Sequence, residues 1–188
     1  MKRARRKNSP KNPKKFKYFM LFFISFFVIG LDQLTKYFVV QKFILGESIP
    51  VVVNFFNITY VQNKGAAFGI LSQADPSFRV PFFMIVPIAA LVSIAYVFRK
   101  VPAQDLVLSA ALSLVISGAV GNFIDRLTMG YVVDFLDFHW HWSYHFPAFN
   151  VADSAICIGV GILMLDVLSR DRSLSIKKES HSHVSNSH

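Results

Sequence analysis

Two aspartates, Asp134 and Asp153, stand out because neither has a lysine or arginine at helical spacing, in a chain that is 53% hydrophobic. An ionisable group near a bilayer is costly unless it is paired or functional. Two carboxylates that meet at a half-buried site share one proton, because repulsion and desolvation raise the pKa of one of them. The ionised one can take a proton from water while the protonated one polarises a carbonyl, which is aspartic-protease chemistry. Spacing alone does not place the two side chains in contact.

Other polar residues also recur at helical spacing. Asp32 and Lys36 are four residues apart, so they share one helix face and can pair. Asn122 and Arg126 have the same spacing, and Asp125 lies beside them. One interpretation of Asp32–Lys36 and of Asp125–Arg126 is structural, as ion pairs that fasten helices together. The other is that these groups organise a functional site.

Four long apolar runs must position these residues. Each run is close to the ~20 residues that a helix needs to cross the hydrocarbon core of a bilayer, and helices are the default spanning form. We therefore predict an all-α membrane protein with four transmembrane helices and a small extracytoplasmic β-like platform and loop. The runs are Tyr18–Val40, Val80–Phe98, Leu106–Ile124 and Val151–Leu168.

The basic residues predict how these helices cross the membrane. With a cytoplasmic N-terminus, the inside segments 1–17, 99–104 and 169–188 hold fifteen Lys and Arg, whereas the outside segments 41–79 and 125–150 hold four. This asymmetry follows the positive-inside rule and predicts that both termini are cytoplasmic. On this topology the polar residues described above fall at the outer side, with one of the two aspartates in the last outer loop.

The flanking segments are predicted to be accessory. Residues 1–17 form a basic arm that precedes a spanning helix directly, which favours contact with anionic lipid over nucleic acid. The first apolar run is long for a signal peptide and no A-x-A site follows it, so we expect a retained helix. The Ser- and His-rich residues 169–188 are predicted to be a disordered cytoplasmic tail. Residues 18–168 remain as the membrane domain.

The two outer segments differ in composition. Residues 47–72 are rich in Val, Ile, Phe and Tyr with partial alternation, which predicts the sheet-like platform. The stretch HWHWSYHFPAF, from His139 to Phe149, is typical of an interfacial aromatic belt, with a histidine metal site as the alternative. Asp137 is interpreted as an ordinary interfacial carboxylate. Cys157, the only cysteine, is interpreted as a small buried apolar side chain.

Five short motifs resemble the bacterial lipoprotein signal peptidases, also called signal peptidase II. Each motif is weak alone, but five of them in order, in a four-helix protein of this size, are highly specific. The resemblance covers roughly residues 18–168 and excludes the basic arm and the tail. The motifs are DQLTK (32–36), NKGAAFG (63–69), GNFIDR (121–126), VVDF (132–135) and FNVADSAI (149–156).

The resemblance implies roles for particular residues. Asp134 and Asp153 are implied to be the catalytic dyad of an intramembrane aspartic endopeptidase. No metal and no organic cofactor are implied. The residues implied to position the substrate or organise the site are Asp32, Lys36, Asn63, Gly65, Asn122, Arg126 and Asn150.

The resemblance also implies partners and a location. The substrate would be a prolipoprotein whose signal peptide precedes a cysteine that bears diacylglycerol, with the cut on the N-terminal side of that cysteine. Membrane lipids would be the other partners, without nucleic acid, and the chain is expected to act as a monomer. It would be a multi-pass protein of the bacterial cytoplasmic (inner) membrane with its active site at the outer face, where the platform and loop clamp the substrate.

Other function classes stay open on the residues alone. A small transporter or channel also carries intramembrane charges, but here the charges make no path to the inner side. A structural or assembly subunit would leave the acids and asparagines without a role. A serine or cysteine protease could use Ser154 or Cys157 with a nearby histidine. The spacing of these residues in the sequence does not show whether they have the geometry of such a site.

Overall fold

The structure, a computed structural model, describes residues 12–65, 74–140 and 144–185. Residues 1–11 of the basic arm, 66–69 of the NKGAAFG motif and 141–143 of the aromatic stretch lie outside the described residues. The helices are α1 (Pro13–Lys42), α2 (Pro76–Lys100), α3 (Leu106–Met129) and α4 (Val151–Ser185). The strands are β1 (Ser48–Val52), β2 (Phe56–Asn63), β3 (Val132–Trp140) and β4 (Tyr144–His145).

The prediction of four membrane-crossing helices is confirmed, because each helix includes a segment long and apolar enough to span a bilayer. The helices extend beyond the apolar runs because their ends are capped. The Asn12 side chain accepts from Lys15 N at 3.1 Å before α1. Gly130, with φ 77°, ends α3 and donates its N–H to Arg126 O at 3.1 Å. Asp125 and Arg126 therefore lie on the last turns of α3, just beyond the apolar run that ends at Ile124.

Helix α3 is the centre of the bundle and packs against α1, α2 and α4. It presents small buried residues, among them Ser117, Gly118 and Gly121. A Cβ on Gly118 would lie 2.3 Å from the backbone oxygen of Ala152, so the first turn of α4 rests directly on α3. Small residues at helix contacts let backbones approach closely, which is how transmembrane helices gain packing energy.

Ionic and capping contacts define one end of the bundle. Lys17 Nζ donates to Val101 O at 2.8 Å, where α2 ends. Arg170 on α4 pairs with Asp105, which caps the start of α3, and at 2.6 Å with Asp166. The start of α1 and residue 170 of α4 therefore lie at the same end of the bundle.

The sheet lies at the opposite end. It is antiparallel in the order β1-β2-β3, and the short β4 pairs with the end of β3. Val39 at the end of α1 packs with Tyr60 on β2 and with Val133 and Phe135 on β3, which seats the sheet on the bundle. Successive side chains alternate across a strand, so Asp134 points away from this core.

Two predictions about local structure were wrong. Asp134 was predicted to lie in an outer loop, but it lies on β3, where its partner in the register is Val61 of β2. This pairing joins residues far apart in sequence and leaves no local signal. The tail from residue 169 was predicted to be disordered, whereas α4 continues to Ser185. An existing helix propagates without a new nucleation step, which favours continuation into this polar segment.

Candidate active site

Asn150 joins the two aspartates of the predicted dyad. Asp134 comes from β3 and Asp153 from the first turn of α4. Asn150 Nδ2 donates to Asp134 Oδ1 at 2.7 Å. The Asn150 side chain also accepts from the N–H of Asp153 at 2.9 Å, while Asp153 Oδ2 accepts from the N–H of Asn150 at 3.3 Å. This reciprocal cap fixes the start of α4 and ties both carboxyl groups to one residue.

Two more asparagines complete the contacts of the dyad. Asn63 Nδ2, at the end of β2, donates to Asp134 Oδ2 at 3.0 Å. Asn122 Nδ2, on α3, donates to Asp153 Oδ1 at 2.7 Å. The Gly65 N–H donates to Asn63 Oδ1 at 3.0 Å, which turns the Asn63 amine toward Asp134. Each carboxyl oxygen of the dyad thus receives an N–H donor and has a defined orientation.

Burial raises the pKa of Asp134 to about 7, and the negative charge of Asp153 acts in the same direction. Hydrogen bonds from Asn63 and Asn150 and the positive charge of Lys36 oppose this increase in pKa. Asp134 can therefore carry a proton near neutral pH, as a general acid must.

Behind the dyad lies a buried ionic cluster. Lys36 Nζ lies 2.8 Å from Asp32 Oδ2 and 2.8 Å from Asp125 Oδ2, and it donates to Asn122 Oδ1 at 3.0 Å. The predicted Asp32–Lys36 pair is therefore present. One of the two interpretations paired Asp125 with Arg126, but the ion-pair partner of Asp125 that the structure shows is Lys36. Successive residues on a helix do not face each other, which explains the difference.

Arg126 links the site to the neighbouring segments. Its guanidinium donates to Gly65 O and to Asn122 O, each at 3.3 Å. It also lies 5.5 Å from the centre of the Phe83 ring on α2, within cation–π range. Arg126 therefore connects the end of β2, α2 and α3 beside the dyad.

A cavity of about 760 Å³ opens onto the dyad, a size typical of ligand-binding clefts. Its wall follows α4 from Asp153 to Cys157. Cys157 is exposed, so its interpretation as a buried residue was wrong. It lies four residues after Asp153 and so faces the same side of the helix. The other lining residues are Val61, Gln62, Asn63, Lys64, Asn122, Arg126, Val132, Asp134, Phe146, Pro147, Ala148, Phe149, Ser154 and Ile156.

Comparison with known proteins identifies the family. The family model described as signal peptidase (SPase) II matches residues 24–169. The chain belongs to the signal peptidase II family. It is therefore a membrane protease that processes prolipoproteins, and the predicted resemblance is confirmed.

Relatives and solved structures agree with this membership. The lipoprotein signal peptidase of Syntrophotalea carbinolica is 52% identical over 146 residues, which cover 78% of this chain and 89% of the relative. That of Geobacter sulfurreducens is 51% identical over 142 residues, covering 76% and 87%. A bacterial membrane enzyme structure determined by the in meso method at 2.3 Å resolution is 41% identical with a TM-score of 0.72, covering 79% of this chain and 87% of that one.

One residue of the candidate site, Gln33, was not predicted from the sequence. Gln33 Nε2 donates to Asp125 Oδ1 at 2.8 Å, and to Asp32 Oδ2 and Gly121 O at 3.2 Å each. Gln33 thus bridges α1 and α3 beside Lys36. The available signal was its position inside the DQLTK motif, as a polar residue in an apolar run.

Asp137 lies on the same strand as Asp134 but faces away from the dyad. Asp137 is three residues beyond Asp134 on β3, so it points to the opposite face, where it accepts from Thr59 Oγ1 at 3.3 Å. Within the described ranges, no three or more His, Cys, Asp or Glu residues are grouped so that they could hold a metal ion. Residues 141–143 of the histidine-containing stretch lie outside those ranges.

Proposed function

We propose that this signal peptidase cuts diacylglyceryl-modified prolipoproteins on the N-terminal side of the lipidated cysteine, with Asp134 and Asp153 as its catalytic dyad. The observation that carries the proposal is the pair of carboxyl groups, Asp134 buried and Asp153 partly buried, which Asn150 bridges in the wall of a mainly apolar cavity. The relatives are named lipoprotein signal peptidases, which supports a lipoprotein precursor as substrate.

The geometry supports a two-step acid–base hydrolysis. Asp153, in its ionised form, accepts a proton from water as the water oxygen bonds to the scissile carbonyl carbon. Asp134 donates its proton to the carbonyl oxygen, so a neutral tetrahedral intermediate forms. The C–N bond then breaks as Asp153 passes its proton to the leaving amine. Asp134 recovers a proton from a hydroxyl of the intermediate, which restores both carboxyl groups.

The cavity fits a substrate that is part peptide and part lipid. Polar groups of Asn63, Asn122 and Arg126 surround the dyad end, where a peptide backbone needs hydrogen-bond partners. Ile156 and Cys157 lie farther along α4 than Asp153, within the apolar segment that is long enough to span a bilayer. We propose that the diacylglyceryl chains lie toward this apolar side while the scissile bond meets the dyad.

A cleavage assay tests the proposed function. Purified protein in detergent is expected to cut a lipid-modified precursor, and excess EDTA should leave the rate unchanged because two carboxyl groups supply the acid and the base. The matched control is the same precursor with serine in place of the lipidated cysteine, which should remain uncut. A rate that EDTA abolishes and zinc restores would contradict the dyad mechanism.

We also propose the membrane orientation and the chain's division. Residues 1–17 would form a cytoplasmic arm that contacts anionic lipid through basic residues other than Lys17, which is buried against the end of α2. Residues 18–168 would form the catalytic domain, and the active site would face outward in a monomeric protein. The positive-inside asymmetry supports this orientation, as do contacts that place the start of α1 and Arg170 at one end.

Reporter fusions check the orientation. A fusion after Lys100 and one after Arg172 are expected to read as cytoplasmic, and a fusion near Ser72 as external, because positive residues stay inside. An external signal from the Lys100 fusion would overturn the proposed topology.

The pH dependence of cleavage tests the role of Asp134. The pKa of Asp134 is raised to about 7, so its protonated form is populated below that pH and lost above it. Single-turnover rates are therefore expected to fall as pH rises through about 7, by about tenfold per pH unit once Asp134 is mostly ionised. A rate that stays constant from pH 6 to pH 9 would show that Asp134 is not the acid.

A further inference from the structure

Lys36 makes more contacts than an ion pair that only fastens two helices together would need. It is 2% exposed, and its ammonium group has three donors, which contact Asp32, Asp125 and Asn122. None of Lys36, Asp32 and Asp125 is among the described residues that line the cavity. Any effect of Lys36 on the reaction must therefore pass through its neighbours.

The two carboxylates of this cluster hold the backbone beside the dyad. Asp125 Oδ2 accepts from the N–H of Val133 at 3.1 Å, and Val133 directly precedes Asp134. Asp32 Oδ1 accepts from the N–H of Ala152 at 2.9 Å, and Ala152 directly precedes Asp153. The Lys36 ammonium group thus neutralises both carboxylates that hold the backbone next to the dyad.

The third contact of Lys36 determines which way Asn122 faces. An ammonium group donates and cannot accept, so the Asn122 oxygen must point toward Lys36. The Asn122 amine is then directed at Asp153, to which it donates at 2.7 Å. The Asn122 oxygen also accepts from Asn150 Nδ2 at 3.1 Å, so Lys36 favours the arrangement that joins both asparagines.

We propose that Lys36 is a positioning residue of the dyad, which acts through Asn122 to keep an amide donor on Asp153. Asp32 and Asp125 also contribute, because they hold the backbone N–H groups of the residues that precede Asp153 and Asp134. The inference rests on the proposed function, and it gives Lys36 a role in turnover beyond the stability of α1.

A double-mutant cycle in single-turnover cleavage tests the inference. Lys36→Met and Asn122→Ala are each expected to lower the maximal rate by about 10²-fold, the cost of a misplacement of about 1 Å. The double variant should be no slower than Asn122→Ala, because Lys36 acts through the amide that is already missing. The substrate concentration for half-maximal rate should stay within about twofold for Lys36→Met, since Lys36 does not line the cavity.

Lys36→Met leaves two buried carboxylates without an ion-pair partner, and this could prevent folding. A neutral variant, with no charge in the cluster, tests the inference in that case. In Asp32→Asn/Lys36→Met/Asp125→Asn no charge is left in the cluster, and amide oxygens can still accept from Ala152 and Val133. It is expected to fold, yet to turn over about 10²-fold slower than wild type.

The matched control is Lys17→Met, the same substitution of a buried lysine at the other end of α1. Lys17 contacts Phe98 O and Val101 O, far along the bundle from the dyad. The control should lower thermal stability and leave the maximal rate of the folded protein unchanged.

Two outcomes would overturn the inference without touching the proposed function. One is that the rate losses of Lys36→Met and Asn122→Ala multiply in the double variant, and the other is a wild-type rate for the neutral variant. Wild type and Asp153→Asn are measured in parallel, so cleavage that depends on Asp153 establishes the proposed function separately. Absence of cleavage by wild type would overturn the proposed function and the inference with it.

Discussion

Asp134→Asn and Asp153→Asn are each expected to abolish turnover, and the double variant should be hardly slower than either single one. In the proposed mechanism the two carboxyl groups share one proton, so losing either one removes both the base and the acid. We expect a loss of about 10⁴-fold or more for each single variant, the upper range for one acid–base group. Residues that act as a unit are strongly non-additive, which accounts for the small further loss in the double variant.

The measurement is single-turnover cleavage of a lipidated precursor by membrane-inserted variants that are folded. Asp137→Asn is the matched control, because Asp137 lies on the same strand and faces away from the dyad. It should keep most of the activity. Substrate binding should survive in every variant, since most of the cavity wall is apolar and unchanged. An inactive Asp137→Asn beside an active Asp134→Asn would show that the wrong acid has been assigned.

The helices were predictable from sequence because the thickness of the bilayer sets the length of the apolar run that each helix needs. A spanning helix needs about 20 apolar residues, so each run marks its helix without knowledge of its neighbours. The ends were harder, since caps such as Asn12 and Gly130 extend α1 and α3 beyond their apolar runs. The strand that carries Asp134 was not predicted, because its partner β2 lies far away in the chain.

The site was predictable as a set of residues but not as a set of contacts. The motifs singled out the asparagines and the dyad, whereas the partner of Asp125 emerged only when α1 and α3 packed together. Lys36 and Asp125 are brought to 2.8 Å by that packing. Gln33 was not predicted for the same reason, because its side chain contacts Asp125 only once α1 and α3 are packed together. Local spacing also could not show that Cys157 faces a cavity and not the bundle interior.

Close packing of α3 on α4 leads to the second large expected effect. Gly118→Ala should destabilise the protein and also slow turnover, although Gly118 is not among the described residues that line the cavity. The added Cβ would lie 2.3 Å from Ala152 O and 2.7 Å from Ile156 Cγ1. A backbone oxygen cannot rotate away, so the first turn of α4 must move and carry Asp153 with it. Overpacking of this kind costs about 1–3 kcal/mol in the free energy of unfolding.

The loss of activity should exceed what unfolding explains. A displacement of Asp153 by about 1 Å is expected to lower the single-turnover rate of the folded fraction by about 10²-fold. Gly161→Ala is the matched control on α4, because a Cβ there meets nothing within 4 Å. That change should raise stability by about 0.5–1 kcal/mol through helix propensity and leave the rate unchanged. Thermal unfolding in detergent, measured beside cleavage, separates the two effects. If Gly118→Ala matched wild type in both, α3 and α4 would not be in backbone contact beneath the dyad, and the anchoring of Asp153 would need another explanation.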